Sequence, residues 1–240
     1  MTQEIGKSIR TRDRLIFALD VPEIEQAKKL VEELGSHVNF YKIGLELLMT
    51  GEYFLLLDWL INQGKKVFVD LKFFDVPQTV ASAISRLSDS GATFATIHGN
   101  DSIMHAAADA KHGTLKVLAV TALTSLDRGD LDDLGFSCDV RELVLSRARR
   151  ALDCGCDGVV SSGLEATEIR KSLGDKLLIV TPGIRPVENR PQDDQKRIVS
   201  VSEAFSNGAD YIVVGRPIRD AISPPQAAAS IQEQIEACFA

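Results

Sequence analysis

A basic surface is the first thing this sequence lacks. Its 240 residues carry 27 lysines and arginines against 34 aspartates and glutamates, a formal net charge of −7. That balance argues against nucleic acid as a partner, because a phosphate backbone needs a basic face. It leaves room for a small anionic ligand held by a few local cations. Cysteine is scarce, with only Cys138, Cys154, Cys156 and Cys238. Their spacing fits neither a zinc ribbon nor a disulfide scaffold, which predicts reduced structural thiols. Long apolar runs are missing too: the greasiest stretch, 54–61, contains Asp58 and is far too short to span a bilayer. The opening residues mix Glu4, Lys7, Arg10, Arg12, Asp13 and Arg14 with few apolar ones and do not read as a secretory signal. Together these absences predict a cytoplasmic protein that engages neither membrane nor nucleic acid. No His–Glu cluster suggests zinc, and His37, His105 and His112 look peripheral. Trp59 falls on an apolar helix face and reads as core.

What the chain does contain is a repeated alternation. Apolar segments at 14–20, 38–43, 66–72, 92–98, 115–122, 158–161, 177–181 and 211–214 read as strands. Between them lie helical stretches, opened by Pro22, Pro77 or the Pro224-Pro225 pair and closed by Gly35, Gly64, Gly91 or Gly208. Residues 46–63 read as one helix, and 126–137 as a polar connection. Strand ends recur about every 28 residues, close to one βαβ unit. Eight such units predict an α/β fold, a single-domain (β/α)8 TIM barrel over residues 14–240, preceded by a short N-terminal extension, 1–13. A doubly wound open sheet is the rival, but no Gly-x-Gly-x-x-Gly follows the first strand.

Charge collects where apolar strands end. Asp20 closes the first strand, Lys42 lies near the end of the second, and Asp70 and Lys72 end the third, with Asp75 just beyond. Strand side chains alternate, so Asp70 and Lys72 share a face. In a barrel the C-terminal strand ends form the active face, so two acids and two bases converge on one rim sector. Such an array is either a salt-bridge ring closing the barrel mouth or a catalytic device. Across the mouth, Gly183-Ile184-Arg185 follows the seventh strand and Gly215-Arg216-Pro217 the eighth, where phosphate is usually held in this fold. Glycine lets backbone N–H groups approach phosphate oxygens, and arginine grips them bidentately. Residues 187–196 lack apolar anchors and read as a lid over an anion or as a plain surface loop. His98 ends the fourth strand, either facing the site or packed and hydrogen-bonded. Asp20 and Asp70 could bind Mg²⁺, but Lys42 and Lys72 beside them would repel it.

Six blocks carry a resemblance that covers nearly the whole chain. They are Phe17-Ala18-Leu19-Asp20, Tyr41-Lys42-Ile43-Gly44, Asp70 through Thr79, Leu123-Thr124-Ser125, Thr181 through Pro186, and Val214-Gly215-Arg216-Pro217. In this order they resemble the orotidine 5′-monophosphate decarboxylases of the free-standing bacterial type. The Asp-x-Lys-x-x-Asp block alone is shared by a wider group of barrels. The resemblance implies decarboxylation of orotidine 5′-monophosphate to uridine 5′-monophosphate without metal, flavin or pyridoxal. It implies that Lys72 donates the proton to C6, with Asp70 beside the substrate carboxylate. Lys42 bridges the charged array and the ribose, Asp20 binds a ribose hydroxyl, and Thr124 contacts the pyrimidine. Pro182 belongs to the substrate-binding set, while Arg185, Gln195, Gly215 and Arg216 hold the phosphate or close over it. Asp75 and Thr79 reach the site of a partner subunit, which implies a homodimer. Phe74 and Val76 stand where many bacterial members carry His and Ile. The stretch between Arg185 and Gln195 is one residue longer than the family pattern, which makes Gln192 a second candidate.

Two rivals remain at this level. Sugar-phosphate decarboxylases and aldolases on the same barrel share Asp-x-Lys-x-x-Asp but use Mg²⁺ and carry an acid on strand two, where this chain has Lys42. A silent phosphate-binding protein would gain little from burying the charged array.

Overall fold

Each apolar strand segment presents two faces, and neither can be left in water without losing the burial that makes the strand worth forming. In the computed structural model, which describes residues 8–185 and 198–240, closing the sheet meets that demand. The strands are β1 (Leu15–Ala18), β2 (Phe40–Gly44), β3 (Lys66–Phe73), β4 (Phe94–Ile97), β5 (Lys116–Val120), β6 (Gly158–Val160), β7 (Leu178–Thr181) and β8 (Tyr211–Val214). All neighbours pair in parallel and in chain order, and β8 returns to β1 through Leu15 opposite Ile212 and Phe17 opposite Val214.

Alternation sorts the side chains into two cores. Ile16, Phe40, Phe68, Phe94, Leu118, Leu178, Val180, Tyr211 and Val213 fill the barrel interior. Aromatic contacts knit this interior: Phe94 lies 5.0 Å from Phe40 in a tilted pair and 5.1 Å from Tyr211 in an edge-on one, centroid to centroid. The opposite parity, including Leu15, Phe17, Tyr41, Ile43, Val67 and Val69, joins the helices in the outer core.

The helices are α1 (Ile24–Leu34), α2 (Leu45–Leu48), α3 (Tyr53–Asn62), α4 (Pro77–Ser88), α5 (Asp101–Ala110), α6 (Arg128–Asp133), α7 (Val140–Asp153), α8 (Ala166–Leu173), α9 (Val201–Ser206), α10 (Arg216–Arg219) and α11 (Pro224–Phe239). In α1 the buried residues are Ile24, Ala27, Leu30, Val31 and Leu34, the helical spacing that makes one apolar stripe. Reciprocal capping boxes start α7 (Asp139 with Glu142) and α9 (Ser200 with Glu203). Pro77 and Pro224 open α4 and α11, where the missing N–H is not needed.

Three local readings are corrected. Residues 46–63 are not one helix: the chain breaks between α2 and α3, and Gly51 takes a left-handed φ of 82° there. The connection 126–137 contains α6, held by a capping box of Asp127 and Asp130. The fifth strand stops at Val120, short of Ala122. Near the other end of the barrel, Ile9 packs against the interior cluster. Just after it, the buried Asp13 accepts from Lys66 Nζ at 2.9 Å and Arg10 Nε at 2.8 Å. Burial works to raise the Asp13 pKa, but these two cations outweigh it and hold the carboxyl below its usual value. The four cysteines are free, and burial pushes the Cys156 thiol up to about 12. Among the described residues no helix is long and apolar enough to cross a membrane.

Packing leaves no room for a side chain where β6 passes between β5 and β7. A Cβ at Gly158 would lie 2.5 Å from the Leu178 carbonyl oxygen and 2.9 Å from Leu118 Cδ2. Gly158→Ala is therefore expected to destabilise the protein by about 1–3 kcal/mol, lowering the urea midpoint with the slope unchanged. An unaltered midpoint would show that the strands yield at no cost.

Candidate active site

The inward parity of the barrel turns polar one step above its aromatic layer. On β2, Phe40 is followed two residues later by Lys42; on β3, Phe68 by Asp70; on β4, Phe94 by Thr96. Period two places each polar side chain above the ring that precedes it, on the C-terminal side. There a pocket of about 430 Å³ opens, and Asp20, Lys42, Asp70 and Lys72 line one wall.

These four side chains form a continuous chain of alternating charge. Lys42 Nζ lies 2.9 Å from Asp20 Oδ1 and 3.6 Å from Asp70 Oδ2, and Lys72 Nζ lies 3.0 Å from the same Asp70 oxygen. Lys42 and Asp70 are the buried members, with side chains 12% and 14% exposed, against 34% for Lys72 and 44% for Asp20. Burial alone would depress the Lys42 pKa, but the charges of Asp70 and Asp20 prevail and raise it. Burial alone would raise the Asp70 pKa, but Lys42 and Lys72, with a hydrogen bond from Thr96, prevail and lower it. Both groups are thus held ionised in a place that would neutralise an isolated charge.

Lys72 reaches Asp70 by an unusual backbone. It is the one non-glycine residue with positive φ among the described residues, at 48°, a conformation that costs a side-chain-bearing residue about 1–2 kcal/mol. The β3–β4 register shifts between Val69 and Phe73 at this point. Two bonds stabilise the bulge. The Lys72 N–H donates to Thr96 Oγ1 at 2.9 Å, and the His98 N–H to the Phe73 carbonyl at 3.0 Å. The shared face expected of Asp70 and Lys72 is realised, but through a bulge rather than a regular strand. Thr96 also donates to Asp70 Oδ1 at 2.9 Å, so one hydroxyl fixes both the acid and the backbone of the base.

The opposite wall is formed by Pro182, Gly183, Arg185, Gly215 and Arg216. Gly183 has φ 80°, a left-handed turn open to glycine, and the buried Arg185 donates through Nη1 to the Ile184 carbonyl at 2.9 Å. Thr124 lines the side between the two walls. Nine of the twelve expected site residues thus share one cavity: Asp20, Lys42, Asp70, Lys72, Thr124, Pro182, Arg185, Gly215 and Arg216. Asp75 and Thr79 do not line it. Both are exposed, and Asp75 Oδ1 accepts from the Val76 N–H at 2.6 Å, ahead of α4. Gln195 and its alternative Gln192 lie outside the described residues. No cluster of three or more His, Cys, Asp or Glu able to hold a metal occurs among the described residues.

Sequence reading overlooked Thr96 and Arg219. Thr96 was legible as a polar residue at an inward position of β4. Arg219 lies three residues after Arg216, one helical turn on, and lines the same pocket. Its Nη1 donates to the Asp20 carbonyl at 2.7 Å, while its Nε binds Asp220 at 2.6 Å. It thereby ties the end of β1 to the loop after β8.

The chain is similar to known proteins along nearly its whole length. A family model described as "Orotidine 5'-phosphate decarboxylase / HUMPS family" matches residues 13–231. An orotidine 5′-phosphate decarboxylase of Methylococcus capsulatus is 65% identical over 235 residues, covering 98% of this chain and 97% of that protein. One from Xanthomonas oryzae pv. oryzae is 51% identical over 228 residues, covering 95% and 93%. The crystal structure of orotidine 5′-phosphate decarboxylase from Lactobacillus acidophilus superposes with a TM-score of 0.81 at 35% identity, covering 93% of this chain and 99% of that one.

Asp70, with its lowered pKa, adds stability that is complete above the ordinary carboxylate value of about 4 and is lost as pH falls through its folded value. Lys42, with its raised pKa, adds stability that is complete below the ordinary lysine value of about 10.4 and is lost as pH rises through its folded value. Thr96→Val keeps the shape and removes the hydroxyl. The Asp70 carboxyl is expected to titrate higher in ¹³C spectra, and the stability gap to the parent to narrow as pH falls. An unmoved Asp70 titration would mean that Thr96 does not hold the acid.

Proposed function

The chain belongs to the orotidine 5′-phosphate decarboxylase / HUMPS family, and on that premise we propose that Lys72 is the catalytic acid of its reaction. The reaction is decarboxylation of orotidine 5′-monophosphate to uridine 5′-monophosphate and CO2, the last step of de novo pyrimidine nucleotide synthesis. The bond from C6 to the carboxylate breaks, its electron pair stays on C6, and CO2 departs. The Lys72 ammonium delivers a proton to C6 and is then reprotonated from solvent, so one proton is consumed per turnover.

The observation that carries this reading is the Lys72 ammonium, 3.0 Å from an ionised Asp70 at the wall of a pocket that faces two arginines. The carbanion at C6 has no adjacent carbonyl to delocalise it, so catalysis must come from a fixed charge. An ammonium held by a carboxylate stabilises the developing negative charge more than the spread charge of the substrate, which is the differential that accelerates a reaction. Asp70 orients Lys72 through their ion pair and lies beside the departing carboxylate. Lys42 links Asp70 to the ribose end, Asp20 takes a ribose hydroxyl, and Thr124 and Pro182 contact the base. Arg185, Gly215 and Arg216, joined by Gln195, hold the phosphate. Phosphate binding far from the reacting bond aligns the ring over Lys72.

Asp75 and Thr79 serve the site of a second subunit in this reading, and the enzyme is a homodimer. What supports it is that Asp75 lies outside its own chain's pocket and is flanked by exposed apolar residues, Phe74 at 68% and Val76 at 62%, which marks a surface made for contact. No cofactor is needed for any step. Lys42 lies between Asp20 and Asp70, where a divalent cation would meet its charge at short range. The enzyme acts in the cytoplasm in this reading, with residues 14–240 as its barrel domain and 1–13 as an extension.

Purified protein is expected to convert orotidine 5′-monophosphate, followed by ultraviolet absorbance, at a rate that EDTA leaves unchanged. Lys72→Ala is expected to lower kcat by about 10⁴-fold or more while the protein stays folded. Comparable turnover in that variant would overturn the role of Lys72, and loss of activity in EDTA would favour the Mg²⁺-dependent chemistry of related barrels.

A further inference from the structure

Lys72 adopts its left-handed backbone only because its surroundings impose it, and the charged array does not supply all of that constraint. The segment just after it, Phe73 to Asp75, leaves the barrel rim and needs a support of its own. That support is visible at the end of β4. His98, one residue beyond the end of β4, is half-buried. One edge of its ring meets Phe74, with centroids 5.7 Å apart and planes at 69°. Its Nε2 faces Arg147 of α7, whose Nη1 lies 3.5 Å away and also donates to the Thr121 carbonyl at 2.7 Å. Arginine can only donate, so Nε2 is an acceptor and the ring proton sits on Nδ1. Beneath the ring, the His98 N–H donates to the Phe73 carbonyl at 3.0 Å. The Phe74 ring presses so closely here that a Cβ on Gly99 would lie 3.0 Å from Phe74 Cδ2.

We propose that His98 is a positioning residue, the middle of an Arg147–His98–Phe74 strut that fixes the backbone of Lys72 and the start of the segment carrying Asp75. The inference rests on the assignment of Lys72 as the catalytic acid. His98 does not line the substrate pocket, so it acts through Lys72 rather than on substrate. The strut works with a neutral imidazole. Burial lowers the His98 pKa, and the two charged groups acting on it, Arg147 from α7 and Lys72 from β3, are both cations that lower it further. Protonation would turn the acceptor Nε2 into a donor facing another donor and open the strut at Arg147. The physical consequence concerns geometry: a displacement of about 1 Å of a reacting group can cost about 100-fold in rate while substrate is still bound by its distant phosphate.

The test uses two variants that each keep half of the strut. His98→Phe keeps a ring against Phe74 but cannot accept from Arg147; His98→Gln keeps a neutral acceptor. In His98→Phe, kcat for orotidine 5′-monophosphate is expected to fall by about 100-fold with KM within about threefold, the signature of an interaction felt in the transition state. His98→Gln is expected to recover at least tenfold of that loss. A His98→Phe enzyme with kcat within twofold of the parent overturns the proposal, as does a loss carried by KM or a Gln variant no better than Phe. Should His98→Phe not fold, Arg147→Met, which cannot donate to Nε2, replaces it: an equal fall in kcat at constant KM supports the strut, and an unchanged kcat overturns it. Turnover in Lys72→Ala comparable to the parent's would instead refute the assignment of Lys72, so the two failures are told apart by that variant.

Discussion

Two lysines and two aspartates share a half-buried wall of this barrel, and its two most buried members, Lys42 and Asp70, are held ionised by their neighbours. Lys42 is the centre of the arrangement. It stands between Asp20 and Asp70, and its own burial works to discharge it, which the two acids together prevent. Asp70 depends in the same way on Lys42 and Lys72. Such an array is a poor source of stability, since well-packed apolar residues would do as well or better. It is a good source of preorganisation, because removing any one member leaves an uncompensated charge and the whole set must therefore stay in place. The chain keeps this set where a large core can bear its cost.

The barrel supplies that core in layers. The aromatic interior of Phe40, Phe68, Phe94 and Tyr211 forms a dry floor, and the polar residues begin one inward step above it. A floor of this kind lowers the local dielectric, which strengthens every interaction in the array and in any ligand above it. The same layers keep the two walls apart. The alternating charges come from β1 to β3, and the arginines of the opposite wall follow β7 and β8. Because β8 pairs with β1, the two groups meet across the barrel seam. Arg219 fastens that seam by reaching from α10 to the carbonyl of Asp20.

Strain sits at the point of chemistry. The positive φ of Lys72 is tolerated because Thr96, the Phe73–His98 backbone bond and the ring of Phe74 all constrain the same four residues. Unfavourable backbone persists only when the surroundings over-determine it. Here the over-determination comes largely from Thr96 of β4 and His98 just after it, residues that place no charge on the charged wall itself.

Much of this was determined by the sequence alone. Apolar segments repeating at βαβ spacing predicted a parallel sheet with both faces buried, and their number, eight, pointed to closure. Charges interrupting those segments at Asp20, Lys42, Asp70 and Lys72 marked the functional rim, because an apolar run gives up burial only where something else is gained. The break at Gly51 and the capping box at Asp127 were equally local signals, masked by the apolar run and the polar composition around them. Other features were decided only by tertiary structure. The bulge at Lys72, the double duty of Thr96, the reach of Arg219 to Asp20 and the contact of His98 with both Arg147 and Phe74 all join residues from different strands or helices. Their geometry depends on register between neighbours and on which side chain meets which across a closed barrel. Spacing along a single chain carries no record of either.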